Sequence, residues 1–276
     1  MDIRNMNGMD YLKTLENGEI DLILTDPPYI ISHDTGMDKL FEQFKSQGDT
    51  SAKTEEDWNV YKETLGKPEH EIRQGHGHGW SKENYIRWGT IYGKKYGTRT
   101  NFGDWDHQFT MEQLDSFVQQ YFRVLRTGGT CIIWFDIWKI TYLEEIMRKH
   151  NFKQLRLVEW LKTNPQPINS KTNYLTNSRE IAILGVKGSK PTFNSSYDNG
   201  VYRYPICSGK YKFHPTQKNL QLFEELIRKH SNEGDTVLDT FLGGGTTAYA
   251  SKSQNRICKG CELNSDYYNR FMENLQ

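Results

Sequence analysis

Asp26-Pro27-Pro28-Tyr29 puts a carboxylate, two residues of fixed φ and an aromatic ring in immediate succession. The carboxylate can accept hydrogen bonds, the prolines stiffen the backbone that carries it, and the ring offers a face for stacking. The preceding run, Ile20-Asp21-Leu22-Ile23-Leu24, is rich in branched aliphatics and reads as a buried strand, 20–25. Two prolines cannot continue a central ladder, so the chain must turn after it. The acid and the ring therefore fall at the carboxyl end of a strand, where open α/β sheets bind their ligands.

A second cluster lies near the other end of the chain. Asp239-Thr240-Phe241-Leu242-Gly243-Gly244-Gly245-Thr246-Thr247 sits between a predicted strand, 236–239, and a helix that begins at Thr246. Consecutive glycines let the backbone turn sharply and approach a ligand without Cβ clashes. The helix start then offers free N–H groups to a carboxylate. Neither the Walker phosphate loop nor the dinucleotide fingerprint is present. Glu262 directly follows a predicted strand, 256–261, at a place where an acid accepts hydrogen bonds from ribose hydroxyls. An unphosphorylated nucleoside that carries a carboxylate meets both demands, and S-adenosylmethionine is such a molecule.

The elements that must position these residues alternate between strand and helix. A short strand at 2–6, a helix over 8–17 and the strand 20–25 open a parallel sheet. After a long interruption the rhythm resumes. Helices are predicted at 111–125, with Thr127-Gly128-Gly129 as a stop, and at 140–150, 220–230 and 265–275; strands are predicted at 130–135, 155–161 and 180–186. Lys162-Thr163-Asn164-Pro165-Gln166-Pro167 reads as a rigid polar loop. Trp134, Phe135 and Trp138 read as core.

Two stretches break the pattern. Residues 30–104 are too long for a structureless loop in a compact domain and read as an inserted subdomain, partly helical around 54–65 and 81–93. Its second half interleaves Trp80, Tyr85, Trp88, Tyr92 and Tyr96 with Lys82, Arg87, Lys94, Lys95 and Arg99. Such residues suit a DNA-facing surface or a small aromatic core with solvated lysines, and both readings stand. Residues 190–218 read as irregular, with a basic-aromatic loop over 190–213. The stretch holds Lys190, Arg203, Lys210, Lys212 and Lys218 against the single acid Asp198, mixed with Phe193, Tyr197, Tyr202, Tyr204, Tyr211 and Phe213. Basic charge tracks phosphates and flat rings stack on bases, so this loop is the candidate for target recognition; a structural loop with buried tyrosines is the alternative.

Bulk properties narrow the classes. At 276 residues the chain can bury a full core. Its 35 basic and 35 acidic residues balance, which counts mildly against a nucleic-acid partner but leaves local charge free to bind one. Four cysteines do not make a disulfide framework, which points to an intracellular protein. Met1-Asp2-Ile3-Arg4-Asn5 lacks the apolar core of a signal peptide, and no stretch approaches the roughly 20 apolar residues of a membrane span, so no membrane partner is expected. Cys258-Lys259-Gly260-Cys261 has CxxC spacing but falls inside a strand without a second ligand pair. His76 and His78 sit in a glycine-rich loop. No metal site is expected.

Asp26-Pro27-Pro28-Tyr29 resembles the catalytic motif of the DNA amino-methyltransferases. Asp239-x-Phe241-x-Gly243-x-Gly245-Thr246-Thr247 is similar to their cofactor motif, and His214-Pro215-Thr216-Gln217-Lys218 to the segment that precedes it in the β group, where the catalytic motif comes first. The resemblance covers residues 1–29 and 105–276, the expected catalytic domain. It implies a Rossmann-like, seven-stranded, mostly parallel α/β sheet, circularly permuted and carrying the insertion. It implies S-adenosylmethionine as cofactor, held by Asn7, Asp26, His214, Thr216, Gln217, Lys218, Asp239, Phe241, Gly243, Gly245, Thr246, Thr247 and Glu262. Asp26, Pro27, Pro28 and Tyr29 would be catalytic, acting on adenine N6 of a base flipped out of double-stranded DNA. Cytosine N4 is the alternative target, and a catalytically silent nucleic-acid-binding subunit is an alternative of another class. Asn7 replaces a common Asp, and Asn219 replaces a proline at a helix start where Asn caps well. A second copy of the chain and a cognate restriction endonuclease are the protein partners implied, in the cytoplasm with nucleoid or viral DNA.

Overall fold

The computed structural model describes residues 1–29, 53–64, 82, 85–86, 109–166, 175–207, 212 and 217–275. The chain divides into two compact units, residues 1–30 with 105–276 and residues 31–104. Within the second unit, helix α2 (Glu55–Thr64) buries Trp58. Tyr85 stacks on Tyr61 at 4.3 Å and lies 5.6 Å from Trp58. These three rings form a small core. The rest of the expected helix at 81–93, and His76 and His78, lie outside the described residues.

The first unit is built on one sheet. Its strands are β1 (Asp2–Asn5), β2 (Ile20–Thr25), β3 (Leu125–Phe135), β4 (Phe152–Gln166), β5 (Asn177–Lys187), β6 (Val201–Tyr204), β7 (Thr236–Asp239) and β8 (Ile257–Glu262), in the spatial order β1-β8-β7-β2-β3-β5-β4-β6. All neighbours are parallel except β5, which runs against β3 and β4. Helices α1 (Gly8–Lys13), α3 (Met111–Val124) and α4 (Ile140–Lys149) join a core on one face, and α5 (Leu220–His230) on the other. α6 (Thr246–Ser253) and α7 (Ser265–Leu275) pack with Leu242 and Cys258. Side chains alternate across a strand, so Ile23 enters the first core while Leu22 and Leu24 enter the second. Burial on both faces is why this strand reads as a near-continuous apolar run.

β2 lies between β7 and β3, with Leu22 opposite Val237 and Ile23 opposite Leu238. Strands β7, β8 and β1 extend from this line in one direction, and β3, β5, β4 and β6 in the other. The two halves of the sheet part here. Residues more than 200 positions apart meet at one carboxyl edge, which is how a permuted chain assembles a ligand site.

Several expectations change. The sheet has eight strands rather than seven, because Val201–Tyr204 of the supposedly irregular stretch pairs with β4 as an edge strand. Tyr202 from it is buried, and its hydroxyl donates to Asp198. β4 runs on to Gln166 instead of ending in a loop; its register with β5 shifts between Leu161 and Gln166, and a bulge of that kind tolerates Pro165. Thr127-Gly128-Gly129 does not stop α3. β3 starts directly at Leu125, and the glycines form a bulge that puts Ile20 opposite Leu125 but Leu22 opposite Thr130; Gly128 takes φ +80°. α1 ends earlier than expected, at Lys13. Trp134 and Phe135 are core, but Trp138 is 88% exposed. Cys258 and Cys261 are free thiols that enter different cores, as strand alternation requires. Among the described residues, no helix is long and apolar enough to cross a membrane.

Gly260 tests the register at the switch. A Cβ there would lie 2.1 Å from the Asp239 carbonyl oxygen, a backbone atom that cannot swing away. Gly260→Ala is expected to cost about 3 kcal/mol or more of stability, measured by denaturant unfolding. A cost below about 1 kcal/mol would contradict the close approach of β7 and β8.

Candidate active site

Asp26 leaves the end of β2 with its side chain a fifth exposed. Lys218, far along the chain and only 6% exposed, reaches Asp26 Oδ2 at 2.8 Å. The same ammonium donates to Glu180 Oε2 at 2.6 Å and to the Tyr29 hydroxyl at 3.2 Å. It also lies 5.4 Å from the Tyr29 ring centroid and 5.8 Å from that of Trp134, where ring faces attract a cation. Glu180 Oε1 pairs in turn with Lys162 at 2.7 Å. A buried charge needs a partner, and here each has one. Burial raises the Glu180 carboxyl, but Lys218 and Lys162 outweigh it and hold it down at about 2. Burial disfavours the Lys218 ammonium, yet Asp26 and Glu180 keep it protonated well above the usual range. Asp26 shifts upward, through burial first; Lys218 opposes this and Glu180 adds to it.

One atom of this cluster stands apart. Asp26 Oδ1 is buried and has no hydrogen-bond partner among the described residues. Buried polar atoms are rarely left so, and an acceptor lone pair held in place by its neighbours is ready for an external donor. Pro27 is buried and Pro28 half-buried behind it. Tyr29 meets Phe135 edge-on at 6.1 Å.

The glycine turn adjoins this cluster across the β2–β7 seam. Asp239 is buried and accepts three hydrogen bonds: Thr25 Oγ1 at 2.7 Å, Thr247 Oγ1 at 2.6 Å and the Phe241 N–H at 3.0 Å. It ties the end of β2 to the start of α6. Burial pushes its carboxyl up to about 6 against those three bonds. Gly243 and Gly245 take φ +50° and +76°, the left-handed region that glycine enters freely. Glu262 is buried; its Oε2 accepts the Gly243 N–H at 2.7 Å and its Oε1 the Asn264 N–H at 2.8 Å. Phe241 packs at 4.9 Å on Phe117 and at 5.6 Å on Phe109. A Cβ on Gly244 would come within 3.1 Å of the Gln217 side chain, so Gln217 closes over the turn.

A family model described as DNA methylase matches residues 20–273. The chain belongs to this DNA methylase family, of the N6-adenine/N4-cytosine type. Type II methyltransferase M2.DpnII of Streptococcus pneumoniae is 30% identical over 184 residues, covering 60% of the chain and 68% of the relative. Type II methyltransferase M2.MboI of Moraxella bovis is 24% identical over 279 residues, covering 95% and 82%. Among solved structures, the M1.HpyAVI–SAM complex superposes with a TM-score of 0.62 at 22% identity, covering 100% and 98% of the two chains. The cytosine-N4-specific PvuII DNA methyltransferase gives 0.60 at 14% identity, covering 98% and 92%. These superpositions establish the fold of the methylase, a Rossmann-like methyltransferase sheet.

The methylase brings most of the anticipated residues to one edge. Asp26 and Tyr29 meet Lys218, with Pro27 and Pro28 between them in the chain; Gln217, Phe241, Gly243, Gly245, Thr246, Thr247 and Glu262 gather around the turn. Thr246 is buried, with Oγ1 3.5 Å from the Lys218 carbonyl oxygen. Asn7 is exposed and caps α1, its Oδ1 accepting the Met9 N–H at 2.8 Å. Asn219 caps α5 as expected. His214 and Thr216 lie outside the described residues. Lys218, anticipated at the cofactor, has its ammonium on the Asp26 side. Glu180 and Lys162 were not anticipated, because an acid opening an apolar strand and a lysine in a polar run carry no spacing signal. Phe109 and Phe117 were not anticipated either: Phe117 lies within the apolar face of α3 and Phe109 just ahead of it, with no motif to mark them.

The clamp on Asp239 makes a stability prediction. Thr247→Val removes one of its donors and leaves a buried oxygen unpaired, at a cost of about 1–3 kcal/mol. The folded-state value of Asp239, about 6, lies above its ordinary 3.8, so folding disfavours its ionised form and its contribution to stability falls as pH rises through that window. The variant should therefore be most destabilised near pH ~8 and less so near pH ~5. Urea unfolding at both pH values checks this; an equal cost at both would contradict the clamp.

Proposed function

We propose that the methylase transfers a methyl group from S-adenosylmethionine to adenine N6 in double-stranded DNA, on a base turned out of the duplex. The observation that carries this reading is Asp26 Oδ1, a buried acceptor without a partner among the described residues, at the carboxyl edge of the sheet. The exocyclic nitrogen of adenine is conjugated with its ring and must gain sp³ character to attack. Asp26 Oδ1 and the Pro27 carbonyl accept hydrogen bonds from its two protons. They favour the pyramidal, charge-gaining transition state over the flat ground state, which is the condition for catalysis. Tyr29 offers its ring to the base. Extrusion costs a few kcal/mol, and stacking worth about 1–3 kcal/mol per base offsets part of it.

The residues around the glycine turn fit the cofactor. The left-handed Gly243 and Gly245 let the backbone turn sharply at the head of α6, where free N–H groups can face a ligand. Glu262 stands at the end of β8 with unused lone pairs for ribose hydroxyls, and Phe241 lines the turn with Phe109 and Phe117. Bound there, S-adenosylmethionine supplies an electrophilic sulfonium methyl group. Asp26 as the acid before the prolines favours adenine over cytosine N4 in the family pattern. Under the same reading, the partners are a second copy of the chain and a cognate restriction endonuclease, inside the cell with DNA.

For target recognition we infer a shorter segment within 190–213. Thr192 bonds Arg126 at the start of β3, Asn194 bonds the end of α5, and Lys229 near that end pairs with Asp198. All three bonds lie at the end of the sheet opposite Asp26. Pro205, by contrast, has its carbonyl accepting from Asn219, next to Lys218; in the sequence Lys210, Lys212 and the segment 214–218 follow it. We assign base delivery to the stretch from Pro205 onward and to the insertion.

Asp26→Ala is expected to abolish methyl transfer to duplex DNA while S-adenosylmethionine binds within about threefold of the parent affinity, measured by calorimetry. Transfer that survives the substitution would remove Asp26 from the chemistry.

A further inference from the structure

We propose that Glu180 is a positioning residue for methyl transfer: its carboxylate holds the Lys218 ammonium in a second ion pair, so that Lys218 binds Oδ2 of Asp26 and leaves Oδ1 turned to the base. The inference rests on the role given to Asp26 above.

The register of the sheet places Glu180 at the site. Thr25 lies opposite Ile133 of β3, and Phe135, two residues further on, lies opposite Ile181 of β5. β5 is antiparallel, so its early residues stand at the edge where β2 ends. Glu180 therefore arrives one residue past the last rung of β3, level with the turn at Asp26. Its two oxygens are divided between two cations, Lys162 at 2.7 Å and Lys218 at 2.6 Å. Lys162 is itself held near the Trp160 ring, 5.4 Å from the centroid. The chain of ion pairs runs Lys162, Glu180, Lys218, Asp26, with alternating charge, through four segments from β4 to β2.

This arrangement limits what Lys218 can do. An ammonium paired with Asp26 alone could slide between the two carboxylate oxygens, and either would then be masked. A second anion on Glu180 and the Tyr29 hydroxyl at 3.2 Å use its remaining donors and fix it on Oδ2. The charged groups that face Asp26 are Lys218 ahead of α5, Glu180 on β5, Asp239 on β7 and Lys162 behind Glu180 on β4, with Tyr29 beside them. Among these, Glu180 acts on Asp26 in the opposite sense from Lys218: the carboxylate raises its proton affinity and the ammonium lowers it.

Opposite signs give the test. Glu180→Gln, Glu180→Asp, Lys162→Gln and Lys218→Gln are compared with the parent for methyl transfer against pH, and by ¹³C NMR titration of the Asp26 carboxyl, assigned with Asp26→Asn. Glu180→Gln is expected to lower kcat on the order of 100-fold. It should change KM for DNA and for S-adenosylmethionine by less than about threefold. Its acid limb and the Asp26 titration should move to lower pH, while Lys218→Gln moves both to higher pH. Glu180→Asp, which keeps the charge, should restore the parent limb, and Lys162→Gln should shift it in the direction of Lys218→Gln by a smaller amount. An unmoved Asp26 titration in Glu180→Gln, or a loss confined to KM, overturns the proposal. Absence of transfer to DNA by the parent would defeat the functional reading instead, and the carboxyl titrations then decide alone whether Glu180 governs Asp26.

Discussion

Burying an ammonium obliges the protein to bring it anions, because an uncompensated charge in the interior costs several kcal/mol. Lys218 is 6% exposed, and that single requirement draws side chains from four segments to one point. Asp26 comes from the end of β2, Glu180 from the start of β5, Lys218 from the turn before α5 and Lys162 from late β4. The cluster forms only if the sheet order is right. Its net effect is to leave one carboxylate oxygen of Asp26 desolvated, rigid and unpaired among the described residues.

The second half of the site depends on the same seam. Asp239 takes Thr25 from β2 and Thr247 from α6 onto one carboxylate. The turn at Asp26 and the glycine turn are therefore parts of one hydrogen-bonded unit, although they lie at opposite ends of the chain. Tyr121 adds a bond from α3 to Thr240 at 2.6 Å. Preorganised acceptors act on a transition state because they need not reorganise as charge develops, and a turn clamped on both sides meets that condition. The glycine turn is held at Phe241 by Asp239 and at Gly243 by Glu262.

Parts of this were legible in the sequence and parts were not, for physical reasons. Asp26 to Tyr29 and Asp239 to Thr247 were visible because each packs its chemistry into consecutive residues around a strand end. The parallel order followed from alternating strand and helix patterns, and burial on both faces gave β2 its unbroken apolar run. The cluster around Lys218 was invisible as a unit, because its four members are contributed by four elements and only the sheet register joins them. β6 was hidden because Tyr202 and Tyr204 look the same whether they stack on bases or fill a core. Their hydroxyls, bonded to Asp198 and Glu225 at 2.5 and 2.6 Å, show which. Thr127-Gly128-Gly129 resembled a helix stop, since a strand bulge and a helix end make the same demand for positive φ.

The most direct measurement is the identity of the methylated product. The protein is incubated with duplex DNA of mixed sequence and S-adenosylmethionine labelled in its methyl group, and the DNA is digested to nucleosides. Label in N6-methyladenine nucleoside is the expected result, lost in Asp26→Ala. Label in N4-methylcytosine, or transfer to RNA or protein with none to DNA, would contradict it.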